Sequence, residues 1–442
     1  MIKRTKIKIS FATILFYIIV SLMFIQWINP IGCFSYVYTL FLFLLLNYFI
    51  DKDKCFCNLK YFHFYLLLAL ILYSVQKLQM PSYMGLTGPE GSIGTDDCRY
   101  FAGVADVNVP YKVYYDFTSF GFCLFIKFIY PFKIIDPINV IILNLIGISF
   151  LPSFTGKLAY YFSNDKRVAD LSEKLMLLCP FTLATGLIIM RDVWCSSLIL
   201  ISFFYYIKAK YKIFFVSLLL LTWLKFGFVV FILLCILLYH IFRILEGKYG
   251  VLKVCILCIL LLIFLFLILP YLSLLSGGKL EDGSLFRYSF IEYLQNANEN
   301  SLLVKIYALP ILLRVPALIL VFLIIPVLSF DCYTDGIFNV RVFAYSVLSP
   351  IYSILLYKYY LLFFFNCKSH SSKIRMLFFI VISLALALGI ISLQSRQKVV
   401  LFPFIYMAIA YAYYYSRGKY NQIAIVVSLF LFLTQLLLAL KN

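Results

Sequence analysis

The sequence predicts an all-α fold, a polytopic bundle of helices that cross a membrane. Of its 442 residues, 64% are hydrophobic and 13% are charged, whereas a soluble domain is about 45–50% apolar and about 25% charged. Apolar runs of about 20 residues, the length needed to cross a bilayer, recur along the whole chain. These observations predict about 12 to 14 spans in a single integral membrane domain over residues 1–442. They exclude a secreted domain, a cytosolic enzyme and a protein that binds nucleic acid.

The net charge of +19 reports topology in such a protein, because Lys and Arg accumulate on the cytoplasmic side and contact anionic lipid headgroups. A basic segment precedes the first apolar run, residues 9–28, and no cleavage site follows it. We therefore expect a retained first helix with a cytoplasmic N-terminus. This orientation predicts extracytoplasmic loops at residues 76–116 and 273–305 and an inner loop at residues 366–375.

The apolar runs, taken in order, define the predicted helices. The runs predicted as membrane helices are residues 9–28, 34–50, 62–75, 138–162, 175–190, 193–207, 251–272, 342–365, 377–394, 399–415 and 423–440. Residues 117–130 form a short run that carries Lys127 and ends before Pro131, so we expect an interfacial or re-entrant helix on the outer face. Residues 163–174 are rich in charge and predict a loop.

Residues 213–242 are apolar for too long a stretch to be one ordinary span. At 1.5 Å per residue they would extend about 45 Å, whereas the hydrocarbon core is about 30 Å thick. Basic residues flank both ends, and Lys225 and Gly227 lie in the middle. A broken hairpin with both ends in the cytoplasm fits this pattern. The positive-inside rule is then obeyed along the chain in one of two ways. Either residues 213–242 form this hairpin and residues 306–328 do not cross the membrane, or residues 213–242 form a single tilted span.

The predicted outer loop contains two adjacent carboxylates, Asp96 and Asp97, followed by Arg99 and Tyr100 as candidate substrate contacts. A partly dehydrated carboxylate near the membrane surface can act as a general base on a sugar hydroxyl. In an extended backbone the two neighbouring side chains point to opposite faces, so only one is expected to be essential. Asp97 is favoured, because Asp96 can cap a turn. The alternative is a solvated acidic loop.

Cations within or between apolar runs are the other candidates for function. A charge at membrane depth costs about 2.5–3.5 kcal/mol and is usually paired or functional. Arg191 precedes Asp192 at a short outer turn, and either pairs with it or faces a cavity and binds phosphate. Lys225 either binds phosphate or extends to the interface. The remaining candidates are Arg314, inside an apolar run, and Arg396 and Lys398, at a late outer turn.

Two kinds of site are not predicted. The three histidines are far apart in the chain and no Cys/His spacing suits a metal, so no metal site is expected. The chain has no Walker loop, so no nucleotide cofactor is expected either. Most of the twelve cysteines lie in apolar runs, where small buried hydrophobes are favoured over a disulfide framework.

The order of these features resembles the EpsG-type and Wzy polysaccharide polymerases, which are similar in layout to GT-C glycosyltransferases. The shared features are an acidic outer loop, an interfacial helix, an Arg–acid pair, a basic residue in a broken hairpin and a late Ser-Arg turn before a Pro. The resemblance covers most of the chain. It implies that Asp96 or Asp97 is the acidic residue of the first outer loop and that Arg191 and Arg396 match basic positions of the family. Lys225 departs from the commoner Arg.

The resemblance implies an undecaprenyl-diphosphate-linked oligosaccharide as substrate and a bacterial inner membrane as location. The predicted function is polymerisation of repeat units of an O-antigen, capsule or exopolysaccharide at the periplasmic face. Four cations would hold the diphosphate: Arg191, Lys225, Arg314 and Arg396. Membrane lipid and a chain-length regulator are expected as further partners. Two alternatives stay open, a GT-C transferase that uses a lipid-monophosphate sugar donor and a flippase for lipid-linked oligosaccharides.

Overall fold

The computed structural model describes residues 11–88, 95–108, 117–245, 309–310, 313, 316–317, 328–334, 336–366, 370–391, 395–416 and 420–441. The predicted helical fold is confirmed. The α-helices are α1 (Phe11–Ile28), α2 (Ile31–Asp51), α3 (Cys55–Gln79), α4 (Thr95–Val104), α5 (Phe117–Ile129), α6 (Pro137–Ser163), α7 (Lys166–Leu177), α8 (Pro180–Gly186), α9 (Arg191–Ile207), α10 (Tyr211–Lys225), α11 (Val229–Leu245), α12 (Val340–Phe343), α13 (Ser349–Phe365), α14 (Ser372–Ile391), α15 (Phe402–Tyr415) and α16 (Asn421–Lys441).

Shorter elements complete the described chain. Short 3-10 helices cover Lys52–Lys54, Pro81–Tyr83, Phe226–Phe228 and Ser395–Val400, and a π-helical turn covers Ala344–Leu348. Two two-residue strands, β1 (Tyr333–Thr334) and β2 (Ile337–Phe338), pair antiparallel around Gly336, which has a positive φ of 75°. The predicted loop at residues 273–305 and the predicted helix at residues 251–272 lie outside the described residues.

Several helices are long and apolar enough to cross a membrane. Among the described residues there are four such segments, or five if one bent pair counts as a single span. They are Ile31–Gln79, Pro137–Ser163, Val340–Phe365 and Asn421–Leu440, with Pro180–Gly186 and Arg191–Ile207 as the bent pair. The first segment folds back on itself, because Tyr36 Oη and His63 Nε2 are 2.9 Å apart, whereas 27 residues of straight helix would separate them by about 40 Å.

The helical bundle has two ends, which differ in the residues that form them. At one end, Lys54 Nζ is 2.5 Å from Glu173, Tyr206 hydrogen-bonds His240 and Lys373 lies over the ring of Tyr161 at 4.9 Å. We call this end, formed by residues 51–60, 157–174, 205–212, 239–245, 366, 370–376, 415–416 and 420, the basic end. Residues 76–88 and 95–108 lie at the opposite end, which we call the Arg191 end because Arg191 lies over the ring of Tyr100 there.

The segment around Lys225 is the predicted broken hairpin. Phe214 on α10 and Tyr239 on α11 both pack against Tyr206, with ring centroids 5.1 and 6.1 Å away. The two helices therefore return to the same end of the bundle, and the 3-10 turn Phe226–Phe228 joins them at the other. One tilted span would place Phe214 and Tyr239 at opposite ends, so that alternative is wrong.

Two sequence predictions near the middle of the chain are wrong. Residues 166–174 are helical, within α7, instead of forming a loop. Residues 175–190 are divided between the end of α7 and α8 instead of forming one span. Asp165 caps α7 by accepting a hydrogen bond from the Arg167 amide at 2.8 Å, and the buried side chains of α7 recur at helical spacing among its charges. Pro180 then starts a separate helix, α8, because it cannot donate the hydrogen bond that would continue α7.

Helix α6 is the centre of the bundle. Its most apolar stretch is buried throughout, and α2, α3, α7 and α9 pack around it. Glycines permit two of these contacts: a Cβ on Gly147 would be 3.0 Å from the ring of Trp194 on α9, and one on Gly156 would be 2.6 Å from Glu173 on α7. Small residues let helix backbones approach closely in a membrane. This packing fixes α9, and with it Arg191.

Candidate functional site

The acidic residues of the predicted outer loop lie on a helix. Residues 95–104 form α4, so the extended backbone assumed for Asp96 and Asp97 is wrong. Both carboxylates occupy the first turn, where the helix dipole favours negative charge. Asp96 is 7% exposed and Asp97 fully buried, and Arg99 Nη1 is 3.9 Å from Asp96 across one helical turn. Both carboxylates are therefore buried on one helix, and they do not point to opposite faces as they would in an extended backbone.

Asp97 ties the segment before α4 to the helix. Its Oδ1 accepts hydrogen bonds from the Thr87 hydroxyl at 2.8 Å and from the Cys98 amide at 2.9 Å, and its Oδ2 accepts one from the Thr87 amide at 3.2 Å. Arg341 Nη1 lies 4.0 Å from Oδ2. Burial raises the pKa of Asp97 to about 6, against the opposing effects of Arg341 and the hydrogen bonds. The group is thus a carboxylate near neutral pH that protonates in mildly acidic solution.

Arg341 is the member of this site that the sequence analysis missed. Asn339 caps α12 by accepting hydrogen bonds from the amides of Arg341 and Val342 at 3.0 and 3.2 Å. This cap places the guanidinium in the first turn of a helix, where the dipole disfavours a cation. The signal in the sequence was an Arg two residues after an Asn cap, directly before an apolar run.

Arg191 is held at the first residue of α9 by the bend that precedes it. Asn144 on α6 donates a hydrogen bond to the Ile188 carbonyl at 2.6 Å and accepts one from the indole of Trp194 at 2.8 Å. The Arg191 guanidinium lies over the ring of Tyr100 at 5.8 Å, within the range of a cation–π contact. Arg191 is therefore tied to α4, the helix that carries the acidic pair.

Lys225 is paired with a carboxylate of the protein. Its ammonium at the end of α10 is 3.2 Å from Asp192 Oδ1 and 4.0 Å from the centroid of the Phe228 ring. Both partners are largely buried, with side chains 18% and 4% exposed. Asp192, in the first turn of α9, thus bridges that helix to the hairpin. Lys225 neither extends to an exposed interface nor stands alone in an apolar run.

The late outer turn packs against the same helix. Residues Ser395–Val400 form a 3-10 helix, and the Val399 carbonyl accepts a hydrogen bond from Ser196 Oγ on α9 at 3.0 Å. Lys398 is buried, and its ammonium lies over the Phe402 ring at 5.5 Å. Burial lowers the pKa of Lys398 to about 7. The side chain of Arg396, and Arg314 as a whole, lie outside the described residues.

The Arg191 end therefore brings together most of the predicted site residues that the structure describes. In this group the carboxylates are Asp96, Asp97 and Asp192, and the cations are Arg99, Arg191, Lys225, Arg341 and Lys398. Each of these carboxylates has a cation within 4.0 Å, and Arg191 is a further cation beside them, which suits an anionic ligand. The acids supply proton acceptors beside it. Comparison of the chain with family models, with curated proteins and with solved structures gives no match in any of the three.

Proposed function

We propose that the protein polymerises a surface polysaccharide, by joining oligosaccharide repeat units carried on undecaprenyl diphosphate. The observation that supports this proposal is the chain of buried charges across the Arg191 end. Lys225 pairs with Asp192, Arg191 contacts Tyr100, and the helix of Tyr100 also carries Asp97, which neighbours Arg341. Buried cations beside carboxylates suit a reaction in which an anionic group leaves while a hydroxyl loses its proton.

The chemistry that we assign is a glycosyl transfer. Asp97 takes the proton from a hydroxyl of the acceptor repeat unit, with Asp96 as the alternative base. The hydroxyl oxygen then forms a bond to the anomeric carbon of the donor chain. The bond from that carbon to the diphosphate oxygen breaks, and its electron pair leaves with the diphosphate. The charge that develops there is stabilised by Arg191, Lys225, Arg314 and Arg396, with Lys398 beside Arg396 in the late turn.

The distribution of basic residues supports an orientation for the proposed enzyme. Lys and Arg gather at the basic end, which by the positive-inside rule faces the cytoplasm. The Arg191 end then faces the periplasm of a bacterial inner membrane, where a lipid-linked glycan is accessible. In this proposal the chain is a multi-pass, GT-C-like bundle of about 12 to 14 spans.

Surface polysaccharide from a deletion strain tests the proposal. Loss of the protein should leave single capped repeat units, and the wild-type chain should restore the ladder of long chains on a gel. Long chains that lack a decoration would indicate a transferase that uses a lipid-monophosphate donor. Complete absence of surface repeat units would indicate a flippase. Either of these two results would overturn the polymerase assignment.

Complementation with Arg191→Ala connects the proposed function to the site. This variant should stay in the membrane and fail to restore long chains. Arg167→Ala is a matched control, because Arg167 is an exposed cation at the basic end that pairs with Asp165 at 2.9 Å. It should restore the wild-type ladder. Equal restoration by both variants would contradict the site.

A further inference from the structure

Arg341 is a buried cation whose hydrogen-bonding capacity is unused. The residue is 4% exposed, and Nε, Nη1 and Nη2 have no hydrogen-bond partner among the residues that the structure describes. Its anionic neighbour Asp97 is 4.0 Å away, which exceeds the length of a hydrogen bond. A guanidinium carries five N–H donors in a fixed fork. Buried donors in native proteins nearly always have an acceptor, so this fork has the capacity to bind an acceptor other than the residues that the structure describes.

Asp97 does not move closer to fill this role without losing other bonds. Its two oxygens already accept three hydrogen bonds, from the Thr87 amide, the Thr87 hydroxyl and the Cys98 amide. These bonds hold the carboxylate where it is. It balances the charge of Arg341 and leaves the fork available to a second anion.

The backbone beside Arg341 is irregular in a way that often marks a site. The π-helical turn Ala344–Leu348 begins directly after α12, and π turns occur frequently at functional sites. Tyr345 on this turn packs against Phe181 at 5.2 Å, and Phe181 packs against Phe402 at 5.1 Å. Phe402 is the ring that lies under Lys398. Arg341 is thus connected to α4 on one side and to the late outer turn on the other.

We propose that Arg341 binds a phosphate oxyanion through its guanidinium fork, with Asp97 holding the guanidinium in position. Arg suits this role because its planar donors match two oxygens of one phosphate. The assignment of that phosphate to the diphosphate of a lipid-linked glycan rests on the proposed function. A membrane phospholipid is the other source of the same chemistry.

The test measures binding to the purified full chain in detergent by isothermal titration calorimetry. The probes are farnesyl diphosphate, which carries a diphosphate on a short isoprenoid, and phosphatidylglycerol. Arg341→Gln removes the charge and the fork, and should weaken farnesyl diphosphate binding about tenfold or more. Arg341→Lys keeps the charge and should recover only part of the affinity. Arg167→Gln, at the basic end, should bind like the wild type.

Each result separates the inference from the proposed function. Wild-type affinity in both Arg341 variants, with a loss in Arg191→Gln, would overturn the role of Arg341 and leave the polymerase proposal standing. Binding of phosphatidylglycerol alone, dependent on Arg341, would support the phosphate site and overturn the glycan carrier as its ligand. Failure of the wild type to bind either probe would overturn the inference. If Arg341→Gln does not fold, Arg341→Lys provides the test, because it keeps the charge and loses the fork and should still bind farnesyl diphosphate more weakly than the wild type.

Discussion

Asp192 and Lys225 are 33 residues apart in the sequence, and their side chains form an ion pair of 3.2 Å at the Arg191 end. Both side chains are largely buried among the helices that carry them. Removing one partner from a buried pair leaves the other uncompensated, which is far more costly than replacing both. This pair therefore locks the α10–α11 hairpin to α9.

Lys225→Met should lower the free energy of unfolding by about 3–5 kcal/mol, because it leaves Asp192 buried without its partner. The double variant with Asp192→Asn should recover much of that loss. Denaturant unfolding of the purified chain measures both. Lys127→Met is the control, since its pair with Asp106 is partly exposed and should be worth about 1 kcal/mol or less. Strictly additive losses in the double variant would contradict the coupling.

Asp97→Asn should block chain extension, because it removes the base. It should also weaken binding of lipid-linked substrate, because the neutral amide no longer balances the charge of Arg341. Asp96→Asn should retain extension. The measurement is a turnover assay with purified protein, paired with a binding assay. Normal extension by both variants would return the acidic pair to a structural role and make Asp192 the next candidate for the base.

Chain extension should fall as pH decreases through about 6, since burial raises the pKa of Asp97 from 3.8 to about 6 and the protonated acid cannot accept a proton. The effect on stability has the opposite sign. A pKa that is higher in the folded state gives stability that is present below about pH 4 and is lost as pH rises to about 6. Initial rates across this range test the first statement, and a rate independent of pH would contradict it.

Arg191→Ala should reduce the rate of extension by about 100-fold or more, a loss typical of removing one donor that stabilises a leaving charge. Arg191→Lys should rescue poorly, because an ammonium cannot contact two oxygens in a fork. Arg167→Ala is the control, because it removes an exposed cation at the basic end and should leave the rate unchanged. Rates like the wild type in Arg191→Ala would defeat the assignment.

Labelling of introduced cysteines tests the orientation. A cysteine at Lys133 should react with an impermeant reagent from outside the cell, and one at Arg167 should not. The background needs Cys57→Ser, because Cys57 is exposed. Reaction at Arg167 alone would reverse the bundle and place the Arg191 end in the cytoplasm.

Hydrophobic runs predicted those helices that are apolar along their length. The runs at residues 342–365 and 423–440 correspond to helical segments Val340–Phe365 and Asn421–Leu440. Helices α4 and α7 were missed because they are short and charged, so their apolar residues form no continuous run. The proximity of Asp97 and Arg341 could not be predicted from the sequence either, because the two residues are far apart in the chain and only the fold brings them together.

Helix α6 is enclosed by protein along its most apolar stretch, and it carries Asn144, which fixes the bend before Arg191. A change in bilayer thickness acts on the lipid-facing surface of a membrane protein, through tilt or local deformation of the lipid. Helices at the rim, such as Asn421–Lys441 with its many exposed apolar side chains, would absorb that mismatch first. We expect the geometry around Arg191 to be insensitive to the acyl-chain length of the surrounding lipid.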